Sequence, residues 1–172
     1  MGVVNVNSTQ ITNDLATPAV LNNSFIAGAN IKEMVDVCTM GASDSNNSTY
    51  RFFRIPSNAR ISDIEVMNDA NTSGTSYKCG VLLTNGGSTV VSSSDVIFIP
   101  AGTSMASARS TWTSLYFPAI TSGSASAANI GKRVWELLGL TADPNAIYDV
   151  TVTAVTAGSA GGSLALKLSY VV

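Results

Sequence analysis

Two segments near the C-terminus constrain the fold more than anything else in the chain. In Tyr148-Asp149-Val150-Thr151-Val152-Thr153, large and polar residues alternate without a break. In Leu164-Ala165-Leu166-Lys167-Leu168-Ser169-Tyr170, a large residue again stands at every second position. A period of two sends alternate side chains to opposite faces of a pleated strand. Both segments therefore read as half-buried antiparallel strands. The glycine-rich stretch 158–162 turns the chain between them.

Strand signals recur upstream, at residues 31–37, 50–56, 61–68, 77–84, 90–91, 96–100 and 111–118. Pro56-Ser57-Asn58 stops the second of these, because proline lacks the ladder donor and Ser and Asn favour turns. Ile64 and Val66 are placed on one face of the third strand, and Asp63 and Glu65 on the other. A hairpin between the second and third strands would let Arg51 and Arg54 pair with those carboxylates and help set the register. Asn85-Gly86 offers a tight turn between residues 77–84 and 90–91, since both residues accept positive φ. Residues 122–128 are small and polar and read as a loop. A helix is expected over 132–140, where Ile130, Val134, Leu137 and Leu138 share one face. Ser126 or Asn129 is its N-cap and Gly139 its stop. Asp143-Pro144-Asn145 then makes a turn. About eight short strands with one short helical insert predict an all-β fold, a jelly-roll-like β-sandwich. An immunoglobulin-like sandwich is the second choice, but no Trp lies in a Cys-Trp-Cys pattern with Cys38 and Cys79.

The first 30 residues differ from the rest. They are polar, with Pro18 and scattered apolar residues, Ile11, Leu15, Val20, Leu21, Phe25 and Ile26, that keep no period of 3.6. Such a segment is either a flexible terminus or an arm that orders on a partner. The expected organisation is an extended N-terminal arm over 1–30 and a sandwich domain over 31–172.

Composition removes many functions. The chain of 172 residues suits one domain with a sizeable core. Charged residues make up 12% of it, about half the usual share of roughly 25%. Hydrophobic residues make up 45%, which separates it from disordered polar tracts. Its surface is therefore solvated by neutral polar groups or covered by neighbours. A formal charge of −2 argues against nucleic acid as a partner. The chain contains no histidine, which removes histidine acid–base chemistry, histidine triads and the commonest metal ligand. Two cysteines are too few for a disulfide scaffold. No secretory signal or membrane span is evident, so the expectation is a soluble protein made in a reducing cytoplasm. Asn-x-Ser/Thr triplets at Asn7, Asn22, Asn46, Asn47 and Asn71 carry no weight without secretion.

No constellation for catalysis or for a cofactor emerges. Asp63 and Glu65 share a strand face, but read as a solvated face rather than an acid–base pair. Asp143 and Asn145 supply too few oxygens for calcium and read as a turn. Cys38 and Cys79 lack redox spacing, and Lys78 points away from Cys79; both thiols read as small buried groups. Gly86-Gly87 and Gly161-Gly162 are turn glycines without phosphate-loop spacing. Trp135 reads as a helix–sheet contact rather than a ligand stacker, and Trp112, Tyr116 and Phe117 as a core strand or subunit contact rather than a sugar platform. A structural or assembly protein, a carbohydrate- or receptor-binding β-module, and a jelly-roll enzyme remain, the last weakened by the missing histidine.

Several blocks, taken in order, carry a resemblance. Asn7-Ser8-Thr9-Gln10-Ile11-Thr12-Asn13 is followed by Asn22-Asn23-Ser24-Phe25-Ile26-Ala27-Gly28. Next come Tyr50-Arg51-Phe52-Phe53-Arg54-Ile55-Pro56-Ser57-Asn58-Ala59-Arg60-Ile61, Asn68-Asp69-Ala70 and Gly80-Val81-Leu82. Trp135-Glu136-Leu137-Leu138-Gly139-Leu140-Thr141-Ala142-Asp143-Pro144-Asn145 and Tyr148-Asp149-Val150 complete the set. The chain, apart from residues 88–128, resembles the capsid cement or decoration proteins of tailed bacteriophages. Tyr77-Lys78-Cys79-Gly80 departs from the acidic, small-residue pattern expected there, which leaves that strand's partner open. The resemblance implies a non-enzymatic jelly-roll protein on the outside of an icosahedral shell, assembled in the host cytoplasm. Its partners would be the major capsid protein and other copies of itself, as dimer or trimer, with no nucleic acid, membrane or cofactor. The implied contact residues are Ile11, Leu15, Val20, Leu21, Phe25 and Ile26. The alternative is a head-fibre, tail or baseplate β-module that binds a host glycan, with Trp112 or Tyr116 exposed in a groove.

Overall fold

The structure, a computed structural model, describes residues 9–18, 20–21, 28, 30–84, 90–117 and 126–172. Eight strands are formed among them: β1 Lys32–Met40, β2 Thr49–Pro56, β3 Arg60–Asn68, β4 Ser76–Leu83, β5 Ile99–Ser104, β6 Arg109–Ser114, β7 Ile147–Thr156 and β8 Gly162–Val171. They make two four-stranded antiparallel sheets, ordered β1-β8-β3-β6 and β2-β7-β4-β5. Most connections switch sheets, so neighbours in sequence seldom pair, and the last strands, β7 and β8, lie at the centre. This interleaving is a jelly roll, in which two Greek keys close over one core.

The two C-terminal alternations account for that centre. In β8, Leu164, Leu166, Leu168 and Tyr170 are buried, while Ala165, Lys167 and Ser169 lie on the outer face. Facing them, Tyr148, Val150, Val152 and Ala154 of β7 are buried with Ile55, Tyr77, Cys79 and Val81. Each fully buried large aliphatic side chain contributes about 1.5–3 kcal/mol, so these interlocking rows dominate the stability. The expectation for β8 therefore holds, but β7 is buried on both faces: Asp149, Thr151 and Thr153 are as enclosed as the apolar set. The cause is a 3-10 turn, Ser94–Val96, lying across the outer face of β4 and reaching β7. Gly80 permits this approach, because a Cβ there would lie 2.2 Å from the Ser94 carbonyl oxygen.

Several local expectations change. The predicted hairpin between the second and third strands does not exist: β2 and β3 lie in different sheets, so Arg51 and Arg54 do not meet Asp63 and Glu65. Both arginines bind Asp149 on β7, while Glu65 pairs with Lys167 on β8 and Asp63 accepts a bond from Ser114. The expected strands at 90–91 and 96–100 give way to bends and the 3-10 turn, with β5 beginning at Ile99. The strand expected over 111–118 is β6, displaced toward the N-terminus. Asn85-Gly86 lies outside the described residues.

The expected nine-residue helix is a single turn, α2 Val134–Leu137, if the short N-terminal helix Thr9–Asp14 is counted as α1. Its apolar face is Val134, Leu137 and Leu138; Ile130 is exposed instead. Ser126 caps the separate 3-10 turn Ala127–Asn129. The backbone N–H of Arg133, where α2 begins, donates to the Glu136 carboxylate at 2.6 Å. Gly139 ends the turn at φ +70°. α2 cannot extend toward the N-terminus, because the amides that would have to bond back along the helix are taken: Val134 and Trp135 donate to the carbonyls of Ala59 and Ser57 in the β2–β3 corner. α1 forms within the segment 1–30 although its apolar residues keep no period of 3.6.

Candidate functional site

Among the described residues no cluster of three His, Cys, Asp or Glu side chains could hold a metal ion. Cys79 is fully enclosed, and burial pushes its thiol well above the ordinary range. Cys38 is only part-buried, contrary to the expectation. Its Sγ lies 3.6 Å from the Arg51 carbonyl it donates to, and burial, then the Asp36 carboxylate, raises its pKa. Neither thiol is an activated nucleophile, because each disfavours the thiolate.

Asp143 does sit in a turn. Its Oδ1 accepts bonds from the Ser57 hydroxyl at 2.5 Å and the Asn145 amide at 2.9 Å. The bond from Ser57, then that from Asn145, holds its carboxyl below the ordinary value. Asp149 is the most enclosed carboxylate of the sandwich. Its two oxygens take Arg51 Nη1 at 2.7 Å and Arg54 Nε at 3.2 Å, and Arg51 Nη1 also reaches the Leu83 carbonyl. This cluster ties β2 to β7 and to the end of β4, and it is structural.

The two outer faces differ. That of the β2-β7-β4-β5 sheet is crossed by the 3-10 turn, which Lys78 pins through Asp95 at 2.8 Å. Among the described residues no helix or turn crosses that of the β1-β8-β3-β6 sheet. Val35 and Val37 stand on it, 53% and 57% exposed, opposite Lys167 and Ala165 of β8. Met67 of β3 completes a shallow depression with Val37, Ala165 and Ser110. Beside it runs a rib of side chains across all four strands: Glu33, Lys167, Glu65 and Trp112. The Lys167 ammonium bonds Glu65, lies 4.0 Å from Glu33, and sits 5.6 Å from the centre of the Trp112 ring. A cation over the ring occupies a surface on which a sugar would stack. Tyr116 is no platform either: its hydroxyl is buried, and burial, then the Asp63 charge, raises its pKa. Phe117 is exposed, while the half-buried Trp135 belongs to α2 itself and keeps its Nε1 shielded from solvent.

The apolar residues singled out before the sandwich remain on the surface. Ile11, Leu15, Val20 and Leu21 are 46%, 70%, 52% and 96% exposed; Phe25 and Ile26 lie outside the described residues. Sequence reasoning missed Val35, Val37 and the Lys167–Trp112 contact. Val35 and Val37 alternate with charged or thiol residues, as buried residues do, but they stand on the outer face of an edge strand, opposite Lys167 and Ala165.

No protein-family model and no curated protein matches the sequence. Among solved structures, the chain is similar to one in the capsid of Ralstonia phage GP4, with a TM-score of 0.53 at 15% identity over 83% of this chain and 84% of that one. A chain of the cyanophage Pam1 capsid asymmetric unit aligns over 96% of both chains with a TM-score of 0.46 at 15% identity. The likeness to the Ralstonia phage chain is one of fold: both are built on the same two-sheet sandwich.

Proposed function

We propose that this chain is a structural protein of a tailed-phage head, a cement protein that binds the outside of the icosahedral shell and bridges neighbouring major capsid proteins. The observation that carries the reading is the jelly roll it shares, over 83% of its length, with a chain of the Ralstonia phage GP4 capsid. The chemistry agrees: large apolar side chains, Ile11, Leu15, Val20, Leu21, Val35 and Val37 among them, are exposed, as a contact surface requires. Residues 1–30 act as the arm and the sandwich of 31–172 as the body. Ile11, Leu15, Val20 and Leu21 engage the shell together with Phe25 and Ile26 of the same segment. Weak contacts of this kind become strong when many copies bind one lattice.

The test is binding of the purified protein to mature shells stripped of it, comparing the full chain with a deletion of residues 1–30. Saturable binding that the deletion weakens at least tenfold is expected. Binding that survives the deletion unchanged moves the contact to the sandwich, and no binding by the intact chain overturns the cement reading.

A further inference from the structure

Four strands, β1, β6, β2 and β5, form the edges of the two sheets. An edge strand presents unpaired amides and carbonyls that can recruit another chain, and proteins blunt such edges with proline, glycine or bulges in the backbone, or with charged side chains such as the Lys32, Glu33 and Asp36 of β1. Three of the four are blunted in the backbone. β2 is bulged between Arg51 and Phe53 and ends at Pro56. β5 contains Pro100 and Gly102 and is irregular against β4. β6 is irregular against β3. β1 differs: its nine residues pair with β8 in unbroken register from Lys32 to Met40, with no proline, glycine or bulge. Its exposed side chains mix apolar and charged groups: Ile31, Val35 and Val37 are all more than half exposed, and Lys32, Glu33 and Asp36 are exposed beside them.

We infer that β1 is a self-association edge, on which a second copy of this chain pairs its own β1 antiparallel about a two-fold axis at Met34. Backbone geometry limits the choice of register. The Val37 amide is directed away from β8, since it donates to its neighbouring Asp36 carboxylate at 2.8 Å. Alternation along the strand then places the amides of Glu33 and Val35, and of Ile31 just before β1, on the same edge, which no described strand pairs. A two-fold pairing must set odd residues against odd, so its axis passes through a residue. An axis at Glu33 sets that carboxylate against itself, and one at Asp36 does the same there. An axis at Val35 leaves Asp36 opposite Met34 and Lys32 opposite Cys38, with no charge matched. An axis at Met34 sets Lys32 opposite Asp36 of the second copy, twice by symmetry, with Met34 against Met34 and Ile31 against Val37. Opposite charges directly across a pair stabilise it and like charges disfavour it, so the strand's own charges select this register. About four backbone hydrogen bonds would form through the two Glu33–Val35 pairs, and about four more where Ile31, just before β1, extends to meet Val37; the Asp36 carboxylate would exchange the Val37 amide for the Lys32 ammonium. The result is a closed dimer with one continuous eight-stranded sheet across the two outer faces. This specifies how copies associate within the cement reading but does not require it, because the test uses isolated protein and no shell.

Sedimentation equilibrium of the full chain from about 1 µM to about 1 mM reads the association directly. A monomer–dimer equilibrium is expected. Val35→Pro removes an amide directed to the free edge, so the fold should survive and the dimer should be lost. Lys32→Asp and Asp36→Lys should each weaken association roughly tenfold, and the two together should restore it. A chain that stays monomeric, forms trimers, or keeps its dimer through Val35→Pro and both single reversals overturns the proposal. Met34→Cys in a Cys38→Ser background gives a second measurement independent of Val35→Pro. A directly opposed pair without backbone bonds brings the α-carbons to about 4.5 Å, within disulfide reach. Mild oxidation should link the copies covalently, and failure to link at concentrations where the chain is dimeric refutes the register.

Discussion

Replacing Gly80 by alanine asks whether a distant turn clamps the outer face of the β2-β7-β4-β5 sheet. The added Cβ would lie 2.2 Å from the Ser94 carbonyl oxygen, 2.5 Å from the Asp95 carbonyl carbon and 2.7 Å from the Asp95 Cα. All three are backbone atoms, so no side-chain rotation relieves the clash and the turn itself must retreat. Overpacking of this kind costs about 1–3 kcal/mol. Retreat also stretches the Lys78–Asp95 pair, whose side chains are 22% and 15% exposed, at a cost of up to about 1 kcal/mol. The gain from reduced unfolded-chain entropy, about 0.4–1 kcal/mol, offsets part of this. The net expectation is a loss of about 1–3 kcal/mol, and a fall in Tm of about 3–10 °C for a chain of this size. Urea denaturation followed by tryptophan fluorescence should show a lower midpoint with an unchanged slope. A variant as stable as the parent, or more so, would refute the close approach and with it the account of why β7 is buried on both faces.

Asp149→Asn should cost about 1–3 kcal/mol in the same assay, because it weakens two charged bonds at once while both arginines keep access to water. Asp63→Asn should stay within about 0.5 kcal/mol; the opposite ranking would favour the hairpin pairing expected from sequence over the observed one. Acid should destabilise the fold through Asp44 and Asp143, both held below the ordinary carboxyl value of 3.8. For Asp44 the cause is first the bond from the Tyr50 hydroxyl, then that from the Gly41 amide; for Asp143 it is Ser57, then Asn145. A pKa lower in the folded state means that the unfolded chain binds more protons. The contribution is therefore complete above the unfolded value and is lost as pH falls below it. Melting temperatures should drop from about pH 4 downward, less steeply in the Asp44→Asn, Asp143→Asn double variant; a Tm that rises toward pH 3 contradicts this.

The alternations of β7 and β8, the β3 row of Ile64 and Val66, and the Pro56 stop were legible because each depends on short-range rules. A pleat alternates every two residues and a proline cannot donate, whatever else the chain does. From these, an all-β sandwich with about eight strands followed without reference to tertiary structure. The absence of histidine likewise narrowed the chemistry by composition alone. Helix length was less legible. Val134, Leu137 and Leu138 marked the right face, but the corner carbonyls of Ser57 and Ala59 take the first amides and fix where α2 starts, while Gly139 ends it.

Which strands pair was decided only by the tertiary structure. Arg51 and Arg54 lie close in sequence to Asp63 and Glu65, yet the jelly roll carries β2 and β3 to opposite sheets and gives the arginines to Asp149, more than ninety residues away. Local pattern cannot register such a partner, because every polar position of a half-buried strand looks alike until its neighbours are known. The same holds for Val35 and Val37. Their alternation identifies a strand, but whether that strand is an edge depends on the order of all four strands in the sheet. Sequence by itself determined that this chain makes strands and which of their faces are apolar. The tertiary structure decided which face is covered, which edge is left free, and therefore where a partner can dock.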